Sequence, residues 1–274
     1  MSLVTERPDN KPAAAPKAST APKKARRHGV PPVRGLLPIV VVLAAWELLL
    51  HGKQTVYSPP PSEWWTQVKG QWTSGALGPA LLASTRTFIV ALVVATLLGT
   101  ALGVLVGRVR LFDRLLGPFL EFCRVMPAAA IVPLAVLFAG YTQSMKVTVV
   151  VFTAIWPILL QVRSAARSLD PVLFDVGKAM HLGRFGTLRK IIAPSLVPSI
   201  MLGVRVAAPT VLIIVLLVEI VTGVTGIGAM IEKAQQDYVA ALVYGLVTLA
   251  GILALIVNGV VSALEGYLLR YRPQ

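Results

Sequence analysis

The sequence predicts an all-α polytopic membrane protein with six transmembrane helices and both termini in the cytoplasm, and three observations carry that prediction. Hydrophobic residues make up 55% of the 274 and charged residues only 14%, a balance richer in apolar residues than a soluble core of this size uses. Six apolar segments suit a bilayer-spanning helix of about 20 residues: Gly35 to His51, Leu81 to Gly107, Leu115 to Gly140, Val147 to Val162, Leu196 to Val221 and Val239 to Leu264. The basic residues behind the net charge of +14 gather before the first segment, after the second, after the fourth and at the end. By the positive-inside rule those regions are cytoplasmic, which agrees with an even number of spans.

Residues 1–34 are rich in Ala, Pro and Lys and almost free of branched apolar side chains. They predict a disordered basic cytoplasmic tail, either solvated and serving only topology or in contact with anionic membrane lipid, followed by a membrane domain over 35–274. Between the first two segments, Pro59 to Pro61 end any helix, and Trp64 and Trp65 suit the membrane interface, with a short interfacial helix after them.

In the second segment Ala91, Ala95, Gly99, Gly103 and Gly107 form one ridge of small residues at spacing four. Such a ridge lets another helix backbone approach closely, within the subunit or between subunits. Pro118, Glu121, Arg124, Pro127 and Pro133 interrupt the third segment, which predicts a broken or partly interfacial helix. Pro157 predicts a kink in the fourth.

The longest polar passage runs from Ser168 to Pro194, between the two hydrophobic halves. Asp170-Pro171 reads as a helix start, the carboxylate accepting orphan N–H groups and the proline preset for the first helical position. Val172, Val176 and Met180 then recur every four residues as an apolar ridge, with Asp175 and Lys178 elsewhere around the turn. A cytoplasmic helix near 171–183 with one apolar side for a partner is the expectation.

The fifth segment holds Arg205 and Glu219, both costly in hydrocarbon and therefore functional candidates. Fourteen residues separate them, ~21 Å along a helix, too far for a pair. Arg205 either lines an anion route or forms a structural ion pair with a partner such as Glu121 or Glu47. The glycine-rich run around Gly226 and Gly228 is either a re-entrant gate loop or a turn. Asn258 suits an interhelical hydrogen bond, and Glu265 reads as solvated.

The chain is not read as an enzyme. One cysteine and three scattered histidines give no disulfide, thiolate cluster or metal-ligand spacing, and no phosphate-binding loop is present. The clustering of charge beside apolar segments argues for topology rather than nucleic acid.

With these features in place, the chain from about Tyr57 to Arg272 resembles the inner-membrane permeases of binding-protein-dependent ABC importers, in particular the nitrate, sulfonate and taurine group. That family carries Glu-Ala-Ala, three residues, Gly, nine residues, Ile, one residue and Leu-Pro. Here Asp175, Ile191 and Pro194 hold the frame, while Val176 and Gly177 replace the alanines, His181 the glycine and Ala193 the leucine. A bend moved to Gly183 would instead lengthen the helix by about two residues. SPPPSEWWTQV, EFCRVMPAAAIVPLAVLFAG, GVRVAAP and GVTGIGAMI are similar to further family segments, and Glu219 occupies an acidic family position.

The resemblance implies a type I importer transmembrane domain in the cell's inner membrane, pairing with a second permease subunit, most simply a homodimer. Two cytoplasmic ABC ATPase subunits, which hold the ATP and Mg, would sit below it, and an extracytoplasmic solute-binding protein above. The residues it assigns to ATPase coupling are Asp170, Pro171, Val172, Asp175, Val176, Gly177, Lys178, Met180, His181, Gly183 and Arg184. Arg124, Arg205 and Glu219 fall along the translocation path, and the guanidinium groups favour a small anion such as sulfonate, taurine, nitrate or bicarbonate. The alternatives are another small solute on the same fold and an ion-coupled secondary transporter.

Overall fold

The computed structural model describes residues 32–52 and 57–269, so almost all of the basic tail expected over 1–34 lies outside the described residues, as do Arg270 and Arg272. Two units are distinguished, Met1–Val42 and Leu43–Gln274. The first is described only through the opening turns of α1 (Pro32–Leu50); the second holds every later element. The apolar part of α1, Leu37–Leu50, is shorter than a spanning helix.

All regular elements among the described residues are helical. The short α2 (Pro61–Thr73) begins at the proline run and is followed by α3 (Leu77–Arg108). Trp64 is buried against Trp46 and Tyr244, with ring centroids 5.3 and 5.1 Å away, and its indole N–H donates to the Pro59 carbonyl at 2.8 Å. Of the two tryptophans expected at the interface, only Trp65 is exposed.

The third apolar segment is split into α4 (Arg110–Val125) and α5 (Ala128–Ala139), set at 95° to each other. The break falls at Met126-Pro127, where the proline ring excludes the α conformation from Met126, whose ψ is 123°. Beyond the break, α4 keeps a stripe of exposed apolar residues at helical spacing, Leu111, Leu115, Phe119 and Phe122.

The centre of the bundle is α6 (Gln143–Arg167), which runs as one helix through Pro157 and packs between α3 and α9 (Ala193–Thr222). The small-residue ridge of α3 faces α6 within the same subunit. A Cβ on Gly103 would lie 2.8 Å from the Leu159 carbonyl, and one on Gly107 2.7 Å from the Arg163 carbonyl. Only a hydrogen in place of a side chain admits that approach. Ile158, itself wholly buried, meets both Gly99 of α3 and Gly203 of α9.

Between α6 and α9 come α7 (Val172–Ala179), α8 (Arg184–Thr187) and a π-helical turn, Leu188–Ile192. The π turn falls just before Ala193-Pro194, where the proline brings no N–H to an α-helical ladder. The fifth segment therefore does not begin afresh at Leu196: from Phe185 to Thr222 the chain is one 38-residue helical run. The glycine-rich run expected as a loop opens directly into α10 (Ile227–Gln236), and α11 (Ala240–Leu269) closes the bundle against α2, α9 and α10.

Among the described residues, four helical runs are long and apolar enough to cross a membrane, with α4 and α5 together a fifth. The chain is thus a multi-pass membrane protein.

Candidate functional site

The polar passage builds a small helix held on one face and free on the other. Asp170 Oδ1 accepts the Val172 N–H at 2.9 Å, which caps the first turn of α7. Phe174 turns inward beside Leu169, Ala166, Ile192 and Leu196, and the Arg108 guanidinium lies 4.1 Å from the centre of its ring. Val172, Val176 and Met180 remain 59%, 42% and 63% exposed. Asp175 and Lys178 form a 2.9 Å pair in full solvent, which contributes little to stability.

The helix ends at Ala179, short of the expected limit. His181 donates its N–H to the Lys178 carbonyl, and Leu182 donates to the Gly177 carbonyl, both at 2.9 Å. These two bonds are a Schellman cap, and His181 occupies its left-handed position with φ 52°. The bend has not moved to Gly183. The frame that aligns His181 with the family glycine is also the one with a backbone reason, because glycine adopts this conformation without strain. Gly177 answers a different need: a Cβ there would meet Thr187 Oγ1 at 2.8 Å, so its absence lets α8 close on α7. The side chain of Arg184 lies outside the described residues.

At the far end of α9, Glu219 is wholly buried at the meeting of four helices. Lys146 Nζ of α6 lies 3.0 Å from its Oε1, the Gly228 N–H of α10 donates to Oε2 at 2.9 Å, and the Ser84 hydroxyl of α3 donates to the carboxylate. Ser84 Oγ accepts the Ile227 N–H at 2.9 Å, and Lys146 donates to the Thr225 carbonyl at 2.9 Å. The positive end of α10 therefore points at a carboxylate. Gly226 and Gly228 are clamped rather than free: a Cβ on Gly226 would fall on the Glu219 carboxylate, and one on Gly228 would lie 2.5 Å from the Leu216 carbonyl.

Arg124, Arg205 and Glu219 do not converge on one another. Arg205 bonds Glu265 of α11 at 3.2 Å, in place of Glu121 or Glu47. Glu265, expected to be solvated, is only 19% exposed. Arg124 stands 3.7 Å from Glu121 on its own helix, and Glu47 accepts from His51 and the Ser62 N–H. Asn258 is exposed on α11 rather than bonded across helices.

Sequence reasoning missed two groups. Lys146 stands just before the fourth apolar segment, where a lysine suits solvent, yet its side chain is wholly buried. A buried carboxylate near the end of one span calls for a cation at similar depth, and Lys146 stands at the start of another. The second group is Asp113, which holds Arg163 Nε at 2.7 Å and Arg167 Nη1 at 2.8 Å. Among the described residues no cluster of potential ligands could hold a metal.

Comparison with known proteins follows the same outline. The profile of the family described as binding-protein-dependent transport system inner membrane component matches residues 95–271. The bicarbonate transport system permease protein CmpB of Synechocystis sp. is 28% identical over 87% of this chain and 88% of its own length. The putative aliphatic sulfonates transport permease protein SsuC of Bacillus subtilis is 25% identical over 93% of both chains. The nitrate import permease protein NrtB of Leptolyngbya laminosa is 26% identical over 81% of this chain and 82% of its own. In fold, the chain is similar to a chain of the inward-facing MetNI methionine ABC transporter, with a TM-score of 0.58 and 17% identity over 74% of this chain and 96% of that one.

Proposed function

The chain belongs to the family of binding-protein-dependent transport system inner membrane components, a family of ABC permease subunits, and from that premise we propose that it forms the translocation path of an ATP-driven importer for a small oxyanion. The observation that carries the reading is the exposed ridge of Val172, Val176 and Met180 on a helix whose other face, at Phe174 and Gly177, packs against neighbouring elements. An apolar ridge on a short, rigidly held helix suits a groove in a partner protein. A cytoplasmic ABC ATPase dimer would supply that groove, bind the ATP and Mg, and move α7 as it closes.

The rest of the assembly follows from the same reading. The chain sits in the inner membrane with six spans, counting α1 and the bent pair, and with both termini in the cytoplasm beside the basic tail. Two copies pair, and an extracytoplasmic binding protein delivers the solute. Relatives named for bicarbonate, sulfonates and nitrate support an oxyanion substrate. Arg205 and Arg124, 55% and 62% exposed, are the guanidinium groups offered to it, whereas Glu219 serves structure.

The test is co-purification. Val176→Asp combined with Met180→Asp is expected to leave a monodisperse permease in detergent that no longer retains its ATPase subunit. Recovery of the ATPase at wild-type stoichiometry would refute the docking role.

A further inference from the structure

The end of the bundle that carries α7 also contains a basic recess whose arginines the coupling role does not use. Arg108, Arg114 and Arg167 line a cavity of about 510 Å³ together with Asp113, Pro171 and Phe174. The only carboxylate among its described lining residues, Asp113, is already held by Arg163 and Arg167. Arg108 and Arg114 therefore face the cavity with no acidic group of their own, and the recess carries excess positive charge. Guanidinium groups in this arrangement suit the oxygens of a phosphate.

The surroundings say which phosphate. Arg114 stands on α4 beside Leu111 and Leu115, which open the exposed apolar stripe continuing through Phe119 and Phe122. An apolar stripe that begins beside a basic cleft puts the start of α4 at the depth where acyl chains meet headgroups. We propose that the recess binds the phosphate of an anionic phospholipid, with the acyl chains along the α4 stripe. The leaflet, though not the chemistry, rests on the permease reading, which makes this end cytoplasmic. Because Arg108 also covers the Phe174 ring, a headgroup held there is in contact with the foundation of α7.

The experiment uses the full chain in detergent, without ATPase or transport, so it does not depend on the importer reading. Native mass spectrometry would count phosphatidylglycerol and phosphatidylcholine adducts on the wild type, Arg108→Gln, Arg114→Gln and a control, Lys69→Gln on the exposed face of α2. Phosphatidylglycerol is expected to bind in preference to phosphatidylcholine, with apparent affinity falling roughly fivefold for each of the two cavity substitutions and unchanged in the control. Equal binding of the two lipids, or full phosphatidylglycerol binding by both cavity variants, would overturn the proposal. Inorganic phosphate displacing the lipid at equal concentration would make a free anion the ligand and overturn the lipid assignment.

Discussion

Lys146 Nζ lies 3.0 Å from Glu219 Oε1, and neither side chain reaches solvent. The pair joins α6 to α9, and Ser84, Thr225 and Gly228 add hydrogen bonds to it. Removing one partner leaves a buried charge uncompensated, whereas removing both takes away the charge altogether.

Lys146→Met or Glu219→Gln alone is therefore expected to cost about 3–5 kcal/mol. The double variant should cost clearly less than the sum of the two. Thermal unfolding of all four proteins in detergent, as a double-mutant cycle, measures the difference; strict additivity would show the two groups to be independent.

Gly177 and Thr187 make a second coupled pair, this time through space rather than charge. Gly177→Ala places a methyl 2.8 Å from Thr187 Oγ1, so α8 must shift, at about 1–3 kcal/mol. Adding Thr187→Ala removes the obstructing atoms and is expected to restore both stability and ATPase recovery. If Gly177→Ala alone is silent in both, the close approach of α8 to α7 is not what fixes the residue.

His181 is strained where it stands, since a left-handed backbone costs a non-glycine residue about 1–2 kcal/mol. His181→Gly is expected to stabilise the end of α7. Amide exchange at Leu182, whose N–H closes the cap on the Gly177 carbonyl, should slow several-fold. Faster exchange there would mean that the imidazole contributes more than its backbone costs.

These cases also mark what the sequence discloses. The split between α4 and α5 was legible because proline acts through its own ring and its immediate neighbour, and both are local. The capped start of α7 at Asp170 was legible for the same reason. Glu219 stood out as a charge in hydrocarbon, but its partner did not, because a lysine at a helix start reads as solvated until the fold places another helix over it. Arg205 hid its partner similarly: Glu265 lies 60 residues further on, and nothing local links them. Gly226 and Gly228 have a second use that the sequence does not disclose. Glycine marks a turn when it supplies backbone freedom, whereas here it supplies room for a carboxylate and a carbonyl, and sequence does not distinguish the two uses.

The unbroken run from Phe185 to Thr222 has a mechanical meaning. Its 38 residues make a beam of ~57 Å, and pivoting it about its middle by about 5° would swing each tip by ~2.5 Å. Pro198 and Pro209 each remove a rung from its ladder, so the beam borrows stiffness from α6 along Gly203. At its far tip Glu219 is fastened to α3, α6 and α10 at once. A push delivered beside α7 would meet a helix fastened to its neighbours at the far tip, which resists sliding of one helix past the others.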